Sequence, residues 1–307
     1  MKRLTSLILC MLLLCGCTKN AETTPATVTN QPPAEEETFV TTPLCDGKTL
    51  KILAIGNSFS NNTTQYLYDV AMAEGMTDVT IGRLFIGSCT LEMHAANAQN
   101  DTPAYTYYKN DSGTWEKTEN VTMLHGLLDE SWDIITMQQS SGQSGQSGSY
   151  DGHLETLIDY VNTHKTNKDA KLVWHMTWAY QTDSTHKDFS HYANDQLSMY
   201  YAIVATCQEK ILTNDAFVAV IPAGTAIQNA RTSRWGDAIT ADGYHLNDLG
   251  KLTASYMWYA TLTGKSLSGI RLDTTYTGFH VSEQTKEIIL QSVNGALKAP
   301  YQITEVK

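Results

Sequence analysis

Lys51-Ile52-Leu53-Ala54-Ile55-Gly56-Asn57-Ser58-Phe59-Ser60 decides how the rest of this chain is read. Ile52, Leu53, Ala54 and Ile55 form an unbroken apolar run, the pattern of a strand buried on both faces of a parallel sheet. Gly56 ends the run. From about Ser60 the spacing of Tyr66, Leu67, Val70 and Met72 predicts a helix. A serine at such a junction stands at the carboxyl end of its strand, where a parallel sheet presents ligands. Its own N–H belongs to the electropositive start of the helix. That placement suits a nucleophile if a base is at hand. Taken alone, the same serines, Ser58 or Ser60, read more readily as helix caps.

The base is found near the other end. Thr240-Ala241-Asp242-Gly243-Tyr244-His245-Leu246-Asn247 sets a carboxylate three residues before a histidine, just ahead of a helix marked by Leu252, Tyr256, Tyr259 and Ala260 with Asn247 as its cap. On one tight turn Asp242 can accept the Nδ1 proton of His245, which leaves Nε2 free to take a proton from a serine hydroxyl. The plainer alternative is a surface turn in which Asp242 is a turn former.

These two stretches resemble the SGNH hydrolases, the GDSL-like lipase and esterase superfamily. G-N-S-F-S at 56–60 resembles its first block, with Asn57 where aspartate is usual, and D-G-Y-H-L-N at 242–247 resembles its last. I-P-A-G-T-A-I-Q-N-A-R at 221–231 and W-A-Y-Q at 178–181 are similar to a lipoprotein-rich branch of uncharacterised members. The resemblance covers roughly residues 49–263. It implies a three-layer α/β/α domain with a parallel, five-stranded, flavodoxin-like sheet. It also implies Ser58 as nucleophile, His245 as base and Asp242 as the group that orients it. The oxyanion hole would be made by the N–H groups of Ser58 and Gly87, the glycine after the second strand, and by a side-chain amide after the third. The usual G-x-N-D is absent there. The similar carbohydrate O-acetylesterases use a glutamine, so Gln138 is expected, with Gln139 as the alternate.

The amino terminus reads as an address. Lys2 and Arg3 precede an apolar segment over 4–14, too short to span a bilayer. Leu14-Cys15-Gly16-Cys17 then reads as a lipobox with lipidation at Cys17. Residues 1–16 are expected to be removed. Residues 17–43, rich in Thr, Pro, Ala and Glu with no apolar periodicity, are expected to be a tether. The chain is therefore expected in the cell envelope, held to a membrane by its lipid. Residues 44–307 are long enough for one α/β domain with its own core.

Lys plus Arg number 21 against 32 Asp plus Glu. An acidic chain with no basic runs argues against a nucleic-acid partner. Cys45, Cys89 and Cys207 would remain after processing, an odd number that allows one disulfide and one free thiol. None has metal-ligand spacing, so neither a metal nor another cofactor is expected. Cys89, two residues past Gly87, reads as a small packed residue.

Strands are expected over 50–55, 79–85, 133–137, 171–177 and 217–221. Helices are expected near 61–74, 154–164, 194–210, 224–231, 248–263 and 282–298. This alternation implies a parallel sheet covered on both faces. Ser58, Gly87 and Gln138 all follow strand ends and should meet along one sheet edge. Residues 140–149, S-S-G-Q-S-G-Q-S-G-S, and 181–191, with Asp183, His186 and His191, read either as a substrate-lining lid or as solvated loops. Tyr105, Tyr107, Tyr108 and Trp115 read as sugar-stacking or packing residues. Asn57 is expected to steer the Ser58 loop through a side-chain hydrogen bond. His94, His125, His153 and His175 are assigned no role. The activity expected is that of a serine esterase on an O-acyl group, acetate on carbohydrate foremost. A non-catalytic glycan-binding module and a long-chain lipase are the rivals.

Overall fold

The computed structural model describes residues 42–272 and 277–307. The leader, Cys17 and all of the tether but Thr42 and Pro43 fall outside the described residues. β1 (Thr49–Gly56) buries Ile52 to Gly56 in succession, only in part by being apolar; it also occupies the middle of the sheet. It pairs in parallel with β2 (Asp78–Phe85) on one side and with β5 (Ile134–Met137) on the other. β6 (Lys171–His175) and β7 (Phe217–Ile221) continue the parallel array. These five strands are the ones expected from the apolar runs, and their order places β1 between β2 and β5, the reversal point of a doubly wound sheet.

The sheet is nevertheless not five-stranded. Among the described residues it has seven strands, in the order β4-β3-β2-β1-β5-β6-β7. β3 (Tyr105–Asn110) adds to β2 antiparallel, and β4 (Glu116–Val121) adds antiparallel to β3. The hairpin forms where Asn110 Oδ1 accepts the N–H of Gly113 at 2.8 Å and Gly113 takes φ +88°, a conformation glycine adopts without cost. Tyr105 and Tyr107 turn into the core. β4 carries Glu116, Lys117 and Glu119 outward, the charged edge that deters a further strand from pairing. Its polarity is what hid it: Glu116 to Asn120 are all polar and exposed, so the segment shows neither alternation nor an apolar run.

Alternation along β1 divides the core in two. Leu53 and Ile55 pack with Leu91, Leu127, Leu157 and Met199. These come from α3 (Leu91–Gln99), α4 (Met123–Asp129), α5 (His153–His164) and α6 (Gln196–Lys210). Ile52 and Ala54 pack on the other face with Val70, Tyr256, Trp258 and Ile289. These belong to α2 (Leu67–Ala73), α8 (Asp248–Thr263) and α9 (Glu283–Lys298). α7 (Ala223–Thr232) packs against α8 and α9. Each fully buried aliphatic side chain contributes about 1.5–3 kcal/mol relative to exposure, so two such faces commit the sheet to its register. The helix expected near 61–74 is two helices, α1 (Ser58–Thr64) and α2, separated at Gln65 and Tyr66.

No disulfide forms among the described residues: Cys45, Cys89 and Cys207 are all free. Burial pushes the Cys89 and Cys207 thiols up to about 12, so they remain protonated packing groups.

His94 and His175 are buried within this core, and burial lowers each from 6.5 to about 3. Below pH 6.5 the unfolded chain therefore binds protons that the folded chain refuses. Their contribution to stability is whole above 6.5 and is lost as pH falls toward 3, at up to about 1.4 kcal/mol per pH unit for each ring. Urea titrations at successive pH values should show the unfolding midpoint falling below about pH 6.5. A midpoint that stays level down to about pH 4.5 would show that the folded protein admits those protons.

Candidate active site

Ser58 is the first residue of α1, directly after β1. Asn57 caps the helix, its Oδ1 accepting the Phe59 N–H at 3.0 Å. Phe59 then stacks on Trp178, with ring centroids 4.1 Å apart and planes inclined by 12°. Trp178 in turn donates its Nε1–H to the Tyr244 carbonyl at 2.8 Å. One aromatic stack thus joins the Ser58 segment to the segment that carries the histidine. Asn62 on α1 adds a second tie, its Oδ1 accepting the Leu246 N–H at 2.8 Å.

The histidine turn is built around Asp242. Its Oδ1 accepts the N–H groups of His245 at 2.8 Å and Tyr244 at 3.2 Å. Its Oδ2 lies 2.7 Å from His245 Nδ1. Burial works to raise the Asp242 carboxyl, but the hydrogen bonds from the His245 ring and the two backbone N–H groups outweigh it and hold it below its ordinary value. A carboxylate so held keeps the proton of the ring on Nδ1. The other ring nitrogen, Nε2, lies 2.8 Å from Ser58 Oγ. Residues 187 positions apart are thereby in line: carboxylate, imidazole, hydroxyl. This is the arrangement in which a serine can lose its proton as it attacks.

Around that line lies a cleft of about 450 Å³. Gly87 opens onto it, with nothing within 4 Å of where a Cβ would stand. Gly87 sits in a tight turn closed by the Cys89 N–H on the Ile86 carbonyl, and Ser88 in that turn takes φ +54°, left-handed for a residue with a side chain. Ser88 and Thr90 both line the cleft, and no signal in the sequence marked either. A roomier apolar cavity of about 530 Å³ lies elsewhere, between β7 and residues such as Pro43, Leu44 and Leu297, and shares no lining residue with this cleft.

Gln138 is placed differently from the expectation. It is buried and absent from the cleft lining. Its Nε2 donates to Asn57 Oδ1 at 2.9 Å and its Oε1 faces His175 Nδ1 at 2.9 Å, so its amide is engaged away from the hydroxyl. Gln139, the alternate, is engaged too: its Oε1 accepts the N–H groups of Leu91 and Ser140, and its Nε2 donates to Ser149. Both glutamines hold the loops around the site.

The two loops read as lid or solvated surface are walls. Ser140, Ser141, Gly142 and Gln143 line one side, and His186, Lys187, Asp188 and His191 the other. They are tied to each other. Tyr192 Oη donates to the Gly142 carbonyl at 3.0 Å and accepts the Gly145 N–H at 2.9 Å, and Ser141 Oγ meets Tyr180 Oη at 2.8 Å. Among the described residues no cluster of three or more His, Cys, Asp or Glu could hold a metal ion. Nor is any described helix long and apolar enough to cross a membrane.

Residues 51–289 match the model of DUF4886, a domain of unknown function. The chain belongs to the DUF4886 family. A crystal structure of a DUF4886 family protein from Bacteroides uniformis is 37% identical, covers 84% of this chain and 98% of its own, and superposes with a TM-score of 0.79. More distant are a chain from Parabacteroides merdae described as a GDSL-like lipase (11% identity, 73% of this chain and 100% of that one, TM-score 0.47) and an acetyl xylan esterase (14%, 69% and 99%, TM-score 0.41). No curated protein matches the chain.

Proposed function

We propose that this DUF4886 protein is an exported, lipid-anchored serine esterase that removes O-acyl groups, O-acetyl foremost, from carbohydrate. The observation that carries the reading is the line Asp242 Oδ2, His245 Nδ1, His245 Nε2, Ser58 Oγ, with contacts of 2.7 and 2.8 Å. Ser58 Oγ attacks the ester carbonyl while its proton passes to His245 Nε2. The tetrahedral oxyanion forms against the N–H groups of Ser58 and Gly87. His245 then returns the proton to the leaving alcohol, and water repeats the sequence on the acyl-enzyme. Each oxyanion donor is typically worth about 3–4 kcal/mol of barrier.

The direction of proton transfer assigns the two sides of the cleft. The leaving oxygen must be reached by His245 Nε2, so the alcohol lies on the side of His245, Tyr244 and His186. The Tyr244 ring is 4.3 Å from that of His245 and 4.7 Å from that of His186, inclined to them by 43° and 68°, an aromatic corner against which a sugar ring can pack. The acyl group points the other way, toward Gly87, Ser88 and Thr90. Phe59 and Tyr244 are the large apolar side chains in the lining, too little to bury a long acyl chain. Small acyl groups are therefore favoured. Anchoring and export rest on the sequence over 1–43.

On 4-nitrophenyl acetate the wild type should turn over, and Ser58→Ala should lower kcat by at least about 10³-fold with the fold intact by circular dichroism. Asp242→Asn, which leaves the His245 ring in the wrong tautomer, should lower it by a factor of similar order. Octanoate should be cleaved far more slowly than acetate. Equal rates for wild type and Ser58→Ala would remove the enzyme reading.

The anchor has its own test. The full chain expressed in a Gram-negative host should partition into the detergent phase, and Cys17→Ser should move it to the aqueous phase. A partition unchanged by the substitution would refute lipidation.

A further inference from the structure

The orientation of every group between His175 and Ser58 is dictated by two backbone atoms. The Phe59 N–H can only donate, and it points at Asn57 Oδ1 at 3.0 Å; the Cys89 carbonyl can only accept, and it faces Asn57 Nδ2 at 3.1 Å. The Asn57 amide therefore has one orientation. Its oxygen then requires a donor from Gln138, which fixes Nε2 as the atom 2.9 Å away, and the Gln139 carbonyl 3.4 Å from the same Nε2 agrees. Gln138 Oε1 is left facing His175 Nδ1 at 2.9 Å, so Nδ1 must carry the proton. The remaining ring nitrogen, Nε2, is buried without a partner and unprotonated, beside the ring of Trp258. Burial also lowers His175 to about 3, which keeps it neutral.

The chain of bonds ends on both groups expected to hold the oxyanion. Through Oδ1, Asn57 fixes the first turn of α1, where Ser58 stands. Through Nδ2 it fixes Cys89, whose N–H closes the turn that carries Gly87. Gly56 shows how tightly Gln138 is laid across this point. A Cβ there would stand 3.0 Å from Gln138 Cδ and 2.7 Å from Ser60 Oγ, so only glycine lets the amide cross the end of β1.

We infer that His175 and Gln138 are positioning residues for the Ser58 reaction. The Nδ1–H of His175 selects the orientation of the Gln138 amide, which holds Asn57 and, through it, the N–H groups of Ser58 and Gly87 in register. The inference rests on the esterase reading and adds to it two buried residues that touch neither substrate nor hydroxyl. With Nδ1–H lost, the Gln138 amide is free to invert, oxygen would face oxygen at Asn57, and the two donors would drift apart. Small errors in such geometry are costly to the chemical step and leave ground-state binding largely intact.

The test compares His175→Asn with His175→Leu on 4-nitrophenyl acetate. Asparagine places Nδ2 about where the imidazole has Nδ1, restoring the donor but leaving a void beside Trp258. Leucine fills more of the void and offers no donor. The inference predicts that His175→Leu lowers kcat by about 10-fold or more with KM within about twofold, and that His175→Asn stays within about threefold of wild type. A packing role predicts the reverse order, and Leu equal to or better than Asn overturns the inference. Failure of the esterase reading is distinguishable, since it appears as wild type no faster than Ser58→Ala. If the variants do not fold, the His175 tautomer in ¹⁵N-labelled wild type decides: a proton on Nδ1 supports the chain of bonds, and one on Nε2 breaks it.

Discussion

A contact of 2.8 Å between Ser58 Oγ and His245 Nε2 is what the rest of this molecule is arranged to hold. The two residues come from opposite ends of the sheet's path, one from the turn after its central strand and one from a loop after its last. Neither end could find the other by local structure. The meeting depends on α1 and α8 packing together on one face of the sheet and on two side-chain ties: Asn62 to the Leu246 N–H, and Tyr66 Oη to Asp248 at 2.9 Å. Asp242 completes the arrangement at a spacing of three residues, within a turn bridged by Thr240 and Leu246.

The surroundings of that contact are stiff. Phe59 lies flat on Trp178, Trp178 is bonded to the histidine turn, and the loops on either side are tied to each other through Tyr192 and Tyr180. The Asn57, Gln138 and His175 chain supplies the same stiffness from below. For the proposed reaction such stiffness is preorganisation, with the cost of ordering borne at folding. The same bonds account for asparagine rather than a carboxylate at position 57. A carboxylate at position 57 could accept from Phe59 and Gln138 but would face the Cys89 carbonyl with no hydrogen to offer.

Much of this was legible in the chain itself, for a definite reason. Apolar runs such as 52–55 and 134–137 report burial on both faces, and burial on both faces is what central parallel strands have. The pairing of Ser58 with His245 and Asp242 was legible because proton transfer demands particular residue types; Asp183 with His186 and Asp188 with His191 share the same spacing, and it is the resemblance of 242–247 to a known block that singles out Asp242 and His245. The β3 and β4 hairpin was not legible, because an edge strand made of Glu, Lys and Thr carries no apolar signal. The engagement of Gln138 is not legible for a related reason. Its residue type is right for an oxyanion donor, but orientation depends on partners, and His175 and Asn57 lie 37 and 81 positions away. The loops at 140–149 and 181–191 read as lid or as solvated surface alike; their mutual hydrogen bonds, which make them walls, are a tertiary property.

The central claim is that Ser58 is a hydroxyl made reactive by its neighbours, and covalent capture tests it without any assumption about substrate. Treated with a fluorophosphonate probe, the protein should gain the mass of one phosphonyl group, peptide mapping should place it on Ser58, and His245→Ala should abolish the gain. An unmodified protein, or an adduct at another serine such as Ser88 or Ser140, would contradict the account.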